Sequence, residues 1–351
     1  MSLTLISAAD LLSRLQEFET IIDARTEAEF GEDRLPGAVN WPTLTNEERI
    51  VVGTMYKQIN QFEAKKRGAA MAARNIANHI DREVVDKPKD WKPLAYCWRG
   101  GKRSGSLSLI LDQIGFKTTL IEGGYKAFRA AVVADIPAQA ARLNFQVVCG
   151  PTGSGKTRLL HSLTALGAQV LDLEGLANHR SSVLGAIPGV AQPTQKHFDT
   201  LIWDTLRRFD PSKPVFVESE SKKVGNVAIP TSLLERMRAS PCINLNLPTE
   251  ERIALLLEDY DFFVQDTAFF CKRLDALVEA RGKVVVENWK ALVTQADLRS
   301  VVSELLSLHY DPGYLQSIQR NFDQYGHAVQ LEVADRSEVT LRAAAQSLLS
   351  S

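Results

Sequence analysis

The sequence contains few cysteines and no long apolar segment. Its four cysteines lack the paired spacing of a metal site or a disulfide framework, which favours a reducing, cytoplasmic environment. No apolar run approaches the ~20 residues that a membrane-spanning helix needs. The segment Met1–Asp10 also lacks the basic start and long apolar core of a secretory signal. We therefore expect a cytoplasmic protein that does not associate with membranes.

Net charge is also nearly absent. The chain has 41 Lys and Arg against 42 Asp and Glu, a formal net charge of -1. This balance excludes a polycationic protein, so any nucleic-acid site must be a local basic surface. Hydrophobic residues make up 45% and charged residues 24%, as in ordinary globular proteins, and 351 residues are enough for two domains.

Short apolar runs alternate with helical patterns along the first part of the chain. This alternation predicts an α/β fold with a mainly parallel sheet, in which ligands bind at the carboxyl ends of the strands. The predicted strands are Thr20–Ile22, Pro93–Tyr96 and Thr118–Ile121, and the predicted helix is Leu107–Ile114.

A second α/β domain is predicted after an alanine-rich linker at Asp135–Arg142. We expect the domains to span about 1–138 and 139–351, with the second becoming mainly helical after about residue 249. Its predicted strands are Asn144–Cys149, Gln169–Leu173, Pro214–Glu218 and Ile243–Leu247, and its predicted helices include Lys156–Leu166, Glu250–Leu257, Phe269–Arg281 and Val301–Leu308.

A glycine-containing loop that begins with Cys97 is the first candidate site. Paired glycines let successive backbone N–H groups converge on an anion at the start of a helix. Those groups, the helix dipole and the nearby cations favour the thiolate, which is the nucleophilic form of cysteine. The predicted catalytic residues are Cys97, Arg99, Gly100, Gly101, Lys102 and Arg103. The remaining cysteines lie in apolar runs and are interpreted as core residues: Cys149, Cys242 and Cys271.

The second candidate site is a match to the phosphate-binding pattern G-x-x-x-x-G-K-[ST], between a predicted strand and a predicted helix. Its backbone N–H groups would hold a diphosphate, Lys156 would reach the terminal phosphate, and Thr157 could ligate Mg²⁺. The carboxylate that would hold the metal ion beside this loop is less clear, since Asp172 and Glu218 both follow strands. Whether this domain hydrolyses nucleotides therefore stays open. The predicted diphosphate-binding or nucleotide-binding residues are Gly150, Thr152, Gly153, Ser154, Gly155, Lys156 and Thr157.

A polar stretch after the strand at 169–173 is a candidate substrate loop. Arg180 could provide a second phosphate ligand, whereas His179 alone is more often a hydrogen-bonding loop residue. The residues assigned to this loop and its neighbouring strand end are Asp172, Glu174, His179, Arg180 and Glu218.

A basic, helical insertion is predicted at about residues 46–82. Between Lys57 and Arg103 there are twelve Lys or Arg and five Asp or Glu, in a chain of net charge -1. Such a surface could hold the phosphates of a nucleic acid, with Tyr56 or Phe62 stacking on an unpaired base; the alternative is a solvated basic helix. The candidate nucleic-acid-binding residues are Lys57, Lys65, Lys66, Arg67 and Arg74.

The first domain resembles the rhodanese family. The resemblance is carried by Ile22–Arg25, Glu29-Phe30, Arg34–Asn40 and, after the last strand, Ile121–Phe128. One feature departs from the usual sulfurtransferase loop, because five residues separate Cys97 from Arg103 instead of four. A Cys-x5-Arg loop also resembles dual-specificity phosphatases, which act through a phosphocysteine, although those carry His where this sequence has Tyr96.

With a rhodanese-like part followed by a P-loop part, nearly the whole chain resembles the tRNA 2-selenouridine synthases. The stretches Asp172–Ser182, Glu218–Ser221 and Val286–Trp289 are also similar to that family. The resemblance implies conversion of wobble 2-thiouridine in tRNA to 2-selenouridine through an S-geranyl intermediate. It further implies geranyl diphosphate and selenophosphate as co-substrates, and a selenophosphate-supplying enzyme as partner.

Two other classes of function stay open at this point. The first is a sulfurtransferase or a Cys-x5-Arg phosphatase fused to an NTPase. The second is a non-catalytic tRNA-binding module, in which both loops only clamp phosphates.

Overall fold

The computed structural model describes residues 3–182 and 184–350. These residues divide into two compact units, one from Met1–Asp135 and Pro193–Asp204, the other from Ile136–Gln192 and Thr205–Ser351. Each unit contains a five-stranded sheet in which every strand pair is parallel. The α/β class predicted from the alternating pattern is therefore confirmed.

The sheet of the first unit has the strand order β1-β5-β4-β2-β3. Its central strands are continuous apolar runs because helices cover both faces of a parallel sheet. The strand predicted at Pro93–Tyr96 has those bounds in the structure, and the one predicted at Thr20–Ile22 extends to Asp23. The strands are β1 (Thr4–Ile6), β2 (Thr20–Asp23), β3 (Ala38–Asn40), β4 (Pro93–Tyr96) and β5 (Thr119–Ile121).

The helices of this part of the chain begin at clear sequence signals. Thr26 and Thr45 each form a capping box with the glutamate three residues later. The helix after the cysteine loop begins at Lys102, five residues before the predicted start, because its first turn is polar and lacks the apolar periodicity used for prediction. The helices are α1 (Ala8–Arg14), α2 (Glu27–Glu32), α3 (Asn46–Gln58), α4 (Gln61–Glu83), α5 (Lys102–Ile114) and α6 (Gly124–Ala141), with a 3₁₀ turn at Leu15–Glu17.

The predicted linker is helical for most of its length, since α6 continues to Ala141 with Pro137 inside it. Alanine is the strongest helix former, and the alanines on both sides of Pro137 favour helix despite the hydrogen bond that proline cannot donate.

The second unit has the strand order β12-β11-β6-β8-β7 and a separate antiparallel hairpin, β9-β10. The edge strand β12 escaped prediction because three of its four residues are exposed and carry no buried-strand pattern. The strands are β6 (Asn144–Cys149), β7 (Gln169–Leu171), β8 (Pro214–Glu218), β9 (Lys223–Val224), β10 (Val227–Ala228), β11 (Cys242–Asn246) and β12 (Val329–Glu332).

Beyond residue 249 the chain is mainly helical, as its patterning predicts. A separate core fills this helical region, with Trp289, Leu274 and Val286 fully buried at its centre. The helices after β6 are α7 (Lys156–Ala165), α8 (Leu173–Ala177), α9 (Gln195–Leu206), α10 (Thr231–Arg238), α11 (Thr249–Asp259), α12 (Asp261–Gln265), α13 (Thr267–Leu274), α14 (Val278–Arg281), α15 (Lys283–Thr294), α16 (Leu298–Glu304), α17 (Asp311–Asn321) and α18 (Glu338–Ser350), with 3₁₀ turns at Asp275–Leu277 and Tyr325–His327 and a π-helical turn at Leu305–Tyr310.

Strand order decides which loops meet in the second unit. Strand β6 lies between β8 and β11, and Val148 of β6 pairs with Glu218 at the end of β8. The P-loop after β6 and the carboxylate at the end of β8 therefore leave the sheet side by side.

Among the described residues, no helix is long and apolar enough to cross a membrane.

Candidate active sites

The cysteine loop joins β4 to α5 and surrounds one sulfur with hydrogen-bond donors. The backbone N–H of Gly101 and the hydroxyl of Ser104 both donate to the Cys97 Sγ, each at 3.2 Å. Cys97 is 3% exposed and Ser104 is fully buried. The loop therefore places two hydrogen-bond donors against the sulfur. Ser104 was not among the predicted catalytic residues, and only its position facing the sulfur identifies it.

Glycines also bring the segment after β5 against this loop. A Cβ on Gly124 would lie 2.2 Å from the Cys97 carbonyl oxygen and 2.4 Å from the Gly100 nitrogen. Both glycines have positive φ, 60° at Gly124 and 64° at Gly100. The backbone N–H of Tyr125 donates to that same Cys97 carbonyl at 2.8 Å. Close backbone approach thus fixes the shape of the loop.

The three cations of the loop are placed differently. Arg99 and Lys102 are exposed, whereas Arg103 makes two hydrogen bonds to Glu29, of 2.5 and 3.1 Å. Burial alone would raise the pKa of Glu29, but the hydrogen bonds and charge of Arg103 outweigh it and lower that pKa. Because its charge is paired, Arg103 anchors α5 to α2, and the exposed Arg99 and Lys102 are the cations available to an anion.

A buried ionic network underlies the rhodanese-like signature residues. Arg25 and Asp23 form an ion pair of 2.6 Å, and both side chains are almost completely buried. The Arg25 guanidinium also lies 4.0 Å from the centre of the Tyr125 ring, whose hydroxyl donates to Asp33 at 2.8 Å. Such a network is satisfied only in one arrangement, so it holds the loop's surroundings rigid.

The P-loop lines a cleft of about 830 Å³ in the second unit. Gly153 and Gly155 have φ of 76° and 87°, which only glycine adopts without strain. Lys156 donates to the carbonyl oxygen of Gly150 at 2.6 Å and to that of Pro151 at 3.3 Å. Burial lowers the pKa of Lys156, and the nearby Glu174 opposes that change. An anion in the cleft would provide Lys156 with a charged partner in place of two carbonyls.

The cleft brings the predicted substrate-loop residues together with the P-loop. All five of them line it: Asp172, Glu174, His179, Arg180 and Glu218. Glu174 accepts a hydrogen bond from the Thr157 hydroxyl at 3.1 Å, and its backbone N–H donates to Glu218 at 2.9 Å. Asp172 caps the short helix α8 by accepting from the N–H of Gly175 at 2.7 Å.

Buried carboxylates set the electrostatics of this cleft. Burial raises the pKa of Glu218 well above its usual value, and Glu220 adds to the rise. Burial also raises the pKa of Glu220 to about 8, with a further contribution from Glu174. The second carboxylate oxygen of Glu218, Oε2, is buried without a hydrogen-bond partner. These groups are thus poised to hold protons near neutral pH.

Three residues that support the P-loop escaped prediction because they are distant in sequence. Arg252 donates to the Thr152 carbonyl at 2.8 and 3.0 Å and pairs with Asp311 at 2.6 Å. The Tyr314 hydroxyl accepts the N–H of Gly150 at 2.6 Å, so Gly150 is held from outside its own loop.

Within residues 3–182 and 184–350, no group of three or more His, Cys, Asp or Glu side chains is arranged to hold a metal ion. The hydroxyl of Thr157 and the carboxylates of Glu174 and Glu218 are nonetheless hard oxygen donors beside a phosphate-binding loop, which fit Mg²⁺.

The basic insertion is a pair of helices, α3 and α4, whose predicted tRNA-binding residues are all exposed. Helix α4 is fixed on one face by Ala64, Met71 and Ile76, which are buried. Phe62 is 67% exposed, and the Lys66 ammonium lies 5.1 Å from the centre of its ring. The exposed cations are Lys57, Lys65, Lys66, Arg67 and Arg74.

The remaining cysteines lie outside the cysteine loop, and Cys149 directly precedes the P-loop. Cys149 and Cys242 are buried, at the end of β6 and the start of β11, and Cys271 is half-buried in α13. Their interpretation as packing residues agrees with this placement.

Comparison with known proteins identifies both halves of the chain. A family model described as rhodanese-like domain matches residues 7–131, and one described as tRNA 2-selenouridine synthase AAA domain matches residues 143–280. A curated tRNA 2-selenouridine synthase of Sulfurovum sp. is 32% identical over 93% of this chain and 96% of its own length. The chain belongs to the tRNA 2-selenouridine synthase family.

Other members of the family show the same relation. The protein of Aeromonas salmonicida is 31% identical over 85% of this chain and 87% of its own length. That of Nitrosomonas europaea is 38% identical over 68% of this chain, a match that spans 63% of the relative. Family membership makes this chain a tRNA-modifying enzyme with two candidate active sites, the cysteine loop and the P-loop cleft.

Proposed function

We propose that this chain converts wobble 2-thiouridine in tRNA to 2-selenouridine in two steps that use different anionic donors. Geranyl diphosphate would bind at the P-loop cleft, and selenophosphate at the cysteine loop. The observation that carries the proposal is the pair of glycine-shaped anion cradles, one around a thiol and one around a buried lysine. A phosphate-clamping module without catalysis has no use for donors directed at a sulfur.

The first step would be an alkylation at the P-loop cleft. The sulfur of 2-thiouridine attacks C1 of geranyl diphosphate, a C–S bond forms, and the C1–O bond breaks to release diphosphate. Backbone N–H groups of Thr152–Thr157 and the Lys156 ammonium would stabilise the charge that develops on the departing group. Mg²⁺, held by the Thr157 hydroxyl and a neighbouring carboxylate, would neutralise further charge when bound.

Alkylation of the thione sulfur also releases the proton of N3, so the step needs a proton acceptor. Glu220 lies in the cleft and is 5% exposed, and burial brings its pKa to about 8. A carboxylate with a pKa near the working pH is an effective base once ionised. We therefore assign Glu220 as the acceptor of that proton.

The second step would take place at the cysteine loop. Selenium of selenophosphate attacks C2 of the geranylated base, and geranyl thiolate leaves as a better leaving group than sulfide. The Cys97 thiolate then attacks phosphorus, which breaks the P–Se bond and releases 2-selenouridine. Water hydrolyses the resulting phosphocysteine, and Ser104 stabilises the departing thiolate through its hydrogen bond to Sγ.

Electron balance favours phosphorus over selenium as the atom that Cys97 attacks. A sulfur–selenium bond formed from a thiol and selenophosphate, with phosphate as the other product, would require a two-electron oxidant. Transfer of a phosphoryl group needs only water to complete the cycle.

Binding of tRNA is assigned to the helices α3 and α4, where five exposed cations accompany two exposed aromatic rings. Phosphate contacts from such cations position an RNA, and an exposed ring can stack on an unpaired base. Selenophosphate would reach the cysteine loop from the enzyme that makes it, which we propose as a cytoplasmic partner.

Reconstitution tests the proposed function. The purified chain is incubated with tRNA containing 2-thiouridine, geranyl diphosphate and selenophosphate, and the nucleosides are analysed by mass spectrometry. We expect 2-selenouridine when both donors are present and S-geranyl-2-thiouridine when selenophosphate is omitted. If phosphate esters or nucleotides are hydrolysed while the tRNA stays unchanged, the phosphatase–NTPase alternative is correct instead.

A further inference from the structure

The helical region contributes a cationic pair to the wall of the P-loop cleft. Arg281, at the end of α14, and His309, in the π-helical turn, are half-buried and line this cleft. Arg281 Nε donates to His309 Nδ1 at 2.9 Å, and Arg281 Nη2 donates to the His309 carbonyl oxygen at 3.3 Å. Among the described residues, no carboxylate forms an ion pair with Arg281.

The contact with Arg281 decides which hydrogen-bonding groups His309 offers. Nδ1 accepts a hydrogen bond from a guanidinium that keeps its proton, so the proton of the neutral His309 ring lies on Nε2. Burial lowers the pKa of His309, and the charge of Arg281 adds to that change, so the ring is neutral near pH 7. The remaining N–H groups of both side chains are donors. The pair therefore fits an anion that accepts hydrogen bonds.

A second histidine in the cleft also lacks a partner. His179 is 8% exposed, and its Nδ1 is buried with no hydrogen-bond partner among the described residues. A buried polar atom without a partner costs free energy, which a ligand with a complementary group would recover. Together with Arg281, this atom indicates that the cleft, of about 830 Å³, accommodates a further ligand beside a diphosphate.

The proposed alkylation supplies that second ligand. The thione sulfur that would react at the P-loop belongs to a nucleotide, and its flanking phosphodiesters are covalently attached to it. When the base enters the cleft, these groups enter it as well or lie at its border. A phosphodiester carries one negative charge and offers only acceptor oxygens to a protein, which matches a pair that has only donors. Arginine binds such a group through parallel N–H bonds.

We propose that Arg281 and His309 bind a phosphodiester next to the wobble 2-thiouridine and thereby position the thione sulfur at the P-loop. The inference rests on the proposed function of the P-loop and adds the residues that hold the tRNA there. The diphosphate would keep its own ligands, the P-loop N–H groups and Lys156. Loss of the pair should therefore weaken tRNA binding and leave diphosphate binding unchanged.

The experiment uses three anticodon hairpins that contain 2-thiouridine. One has all its phosphates, and the other two carry a single neutral methylphosphonate on the 5′ or the 3′ side of that nucleotide. Filter binding with inorganic diphosphate present measures their dissociation constants. The unchanged protein should bind one substituted hairpin at least about tenfold more weakly than the all-phosphate hairpin, because a charge-assisted hydrogen bond is lost. Arg281→Gln should bind these two hairpins equally, since the contact is already absent.

Two further variants complete the design. His309→Phe keeps an aromatic ring and removes Nε2–H, so it should reduce the same difference, and it serves as the test if Arg281→Gln does not fold. Arg320→Gln is the matched control, because Arg320 is an exposed arginine of α17 that is not among the cleft-lining residues. It should discriminate between the hairpins as the unchanged protein does. All variants should bind inorganic diphosphate within about twofold of the unchanged protein.

Independent losses, in which Arg281→Gln still discriminates between the hairpins, would overturn the assignment, as would equal binding of all three hairpins by the unchanged protein. A tenfold loss of inorganic diphosphate in Arg281→Gln would assign the pair to the diphosphate and overturn it too. Geranylation of the all-phosphate hairpin, followed by mass spectrometry, separates this inference from the proposed function. Product without the coupled loss removes only the phosphodiester contact; the coupled loss without product keeps the contact and removes the geranyl diphosphate assignment.

Discussion

The cysteine loop and the P-loop are built on one plan but differ in what surrounds the reactive group. Each follows a central parallel strand and precedes a helix, with positive-φ glycines that turn backbone N–H groups inward. The Cys97 sulfur is surrounded by neutral donors, the backbone N–H of Gly101 and the hydroxyl of Ser104. The Lys156 ammonium is surrounded by carbonyls and buried carboxylates, and its burial favours the neutral form.

In the proposed mechanism, that difference separates a nucleophile from an electrostatic clamp. The donors around the sulfur would stabilise it as the leaving group when phosphocysteine is hydrolysed. The half-buried Lys156 would gain a charged partner when an anion enters the cleft. Similar backbone cradles can thus hold a different central side chain with different near neighbours.

The strongest test of the comparison is Cys97→Ser, which keeps the shape of the loop and removes the nucleophile. We expect selenation to fall at least about a thousandfold, because the alcohol cannot replace the thiolate. The Se-phosphorylated base, which forms when geranyl thiolate leaves, should accumulate on the tRNA, as measured by nucleoside mass spectrometry. With the unchanged protein, rapid quenching during turnover should show one added phosphoryl group on Cys97. Full selenation by Cys97→Ser would remove this loop from the mechanism.

Lys156→Ala tests whether the P-loop lysine stabilises the departing diphosphate. Loss of a positive charge aimed at the leaving group should slow geranylation by about a hundred- to a thousandfold. Selenation of tRNA that already carries the geranyl group should continue, since that step releases no diphosphate. The reverse pattern, normal geranylation without selenation, would assign the P-loop to selenophosphate or a nucleotide.

A smaller effect is expected from the candidate tRNA-binding cations of α4, which lie outside both loops. Reversal of Lys65, Lys66 and Arg67 to glutamate should weaken tRNA binding and reduce the slope of log affinity against log salt by up to about three. Filter binding at several salt concentrations measures that slope. Charge reversal at three exposed cations outside the insertion, Lys117, Lys213 and Arg320, is the control for net charge. An equal change in both variants would make α4 an ordinary solvated helix.

The smallest expected effect concerns pH and Glu220. Its folded-state pKa of about 8 exceeds the usual unfolded value of about 4.3, so the folded protein holds an extra proton between these values. Its contribution to stability is therefore present at low pH and lost as pH rises towards 8. Glu220→Gln should flatten the fall of melting temperature over this range, as measured by calorimetry. The same variant should lower the geranylation rate and abolish its rise with pH through about 8. An unchanged pH profile would exclude Glu220 as the proton acceptor.

Local motifs explain which strands of the fold could be predicted from the sequence. The strands Pro93–Tyr96, Asn144–Cys149 and Pro214–Glu218 were predicted to the residue because each is a short apolar run followed by a distinctive polar segment. The edge strand β12 escaped prediction because most of its residues are exposed and give no buried-strand pattern. The continuation of α6 to Ala141 escaped prediction because Pro137, which usually ends a helix, lies inside it.

Local sequence patterns were enough to predict the two loops, their order and the candidate reactive atoms, Cys97 Sγ and Lys156 Nζ. Glycine spacing and the residue types next to it encode an anion cradle whatever the rest of the chain does. Nearly adjacent residues are enough to specify such a loop, so no knowledge of distant contacts is required.

The surroundings of each loop could not be predicted from local patterns and follow from tertiary packing. This packing pairs Arg103 with Glu29 and gathers Glu174, Glu218 and Glu220 around Lys156. The physical reason is that pairing, burial and the pKa of a carboxylate depend on groups distant in sequence. Strand order and helix packing bring those groups together, and no local pattern encodes either.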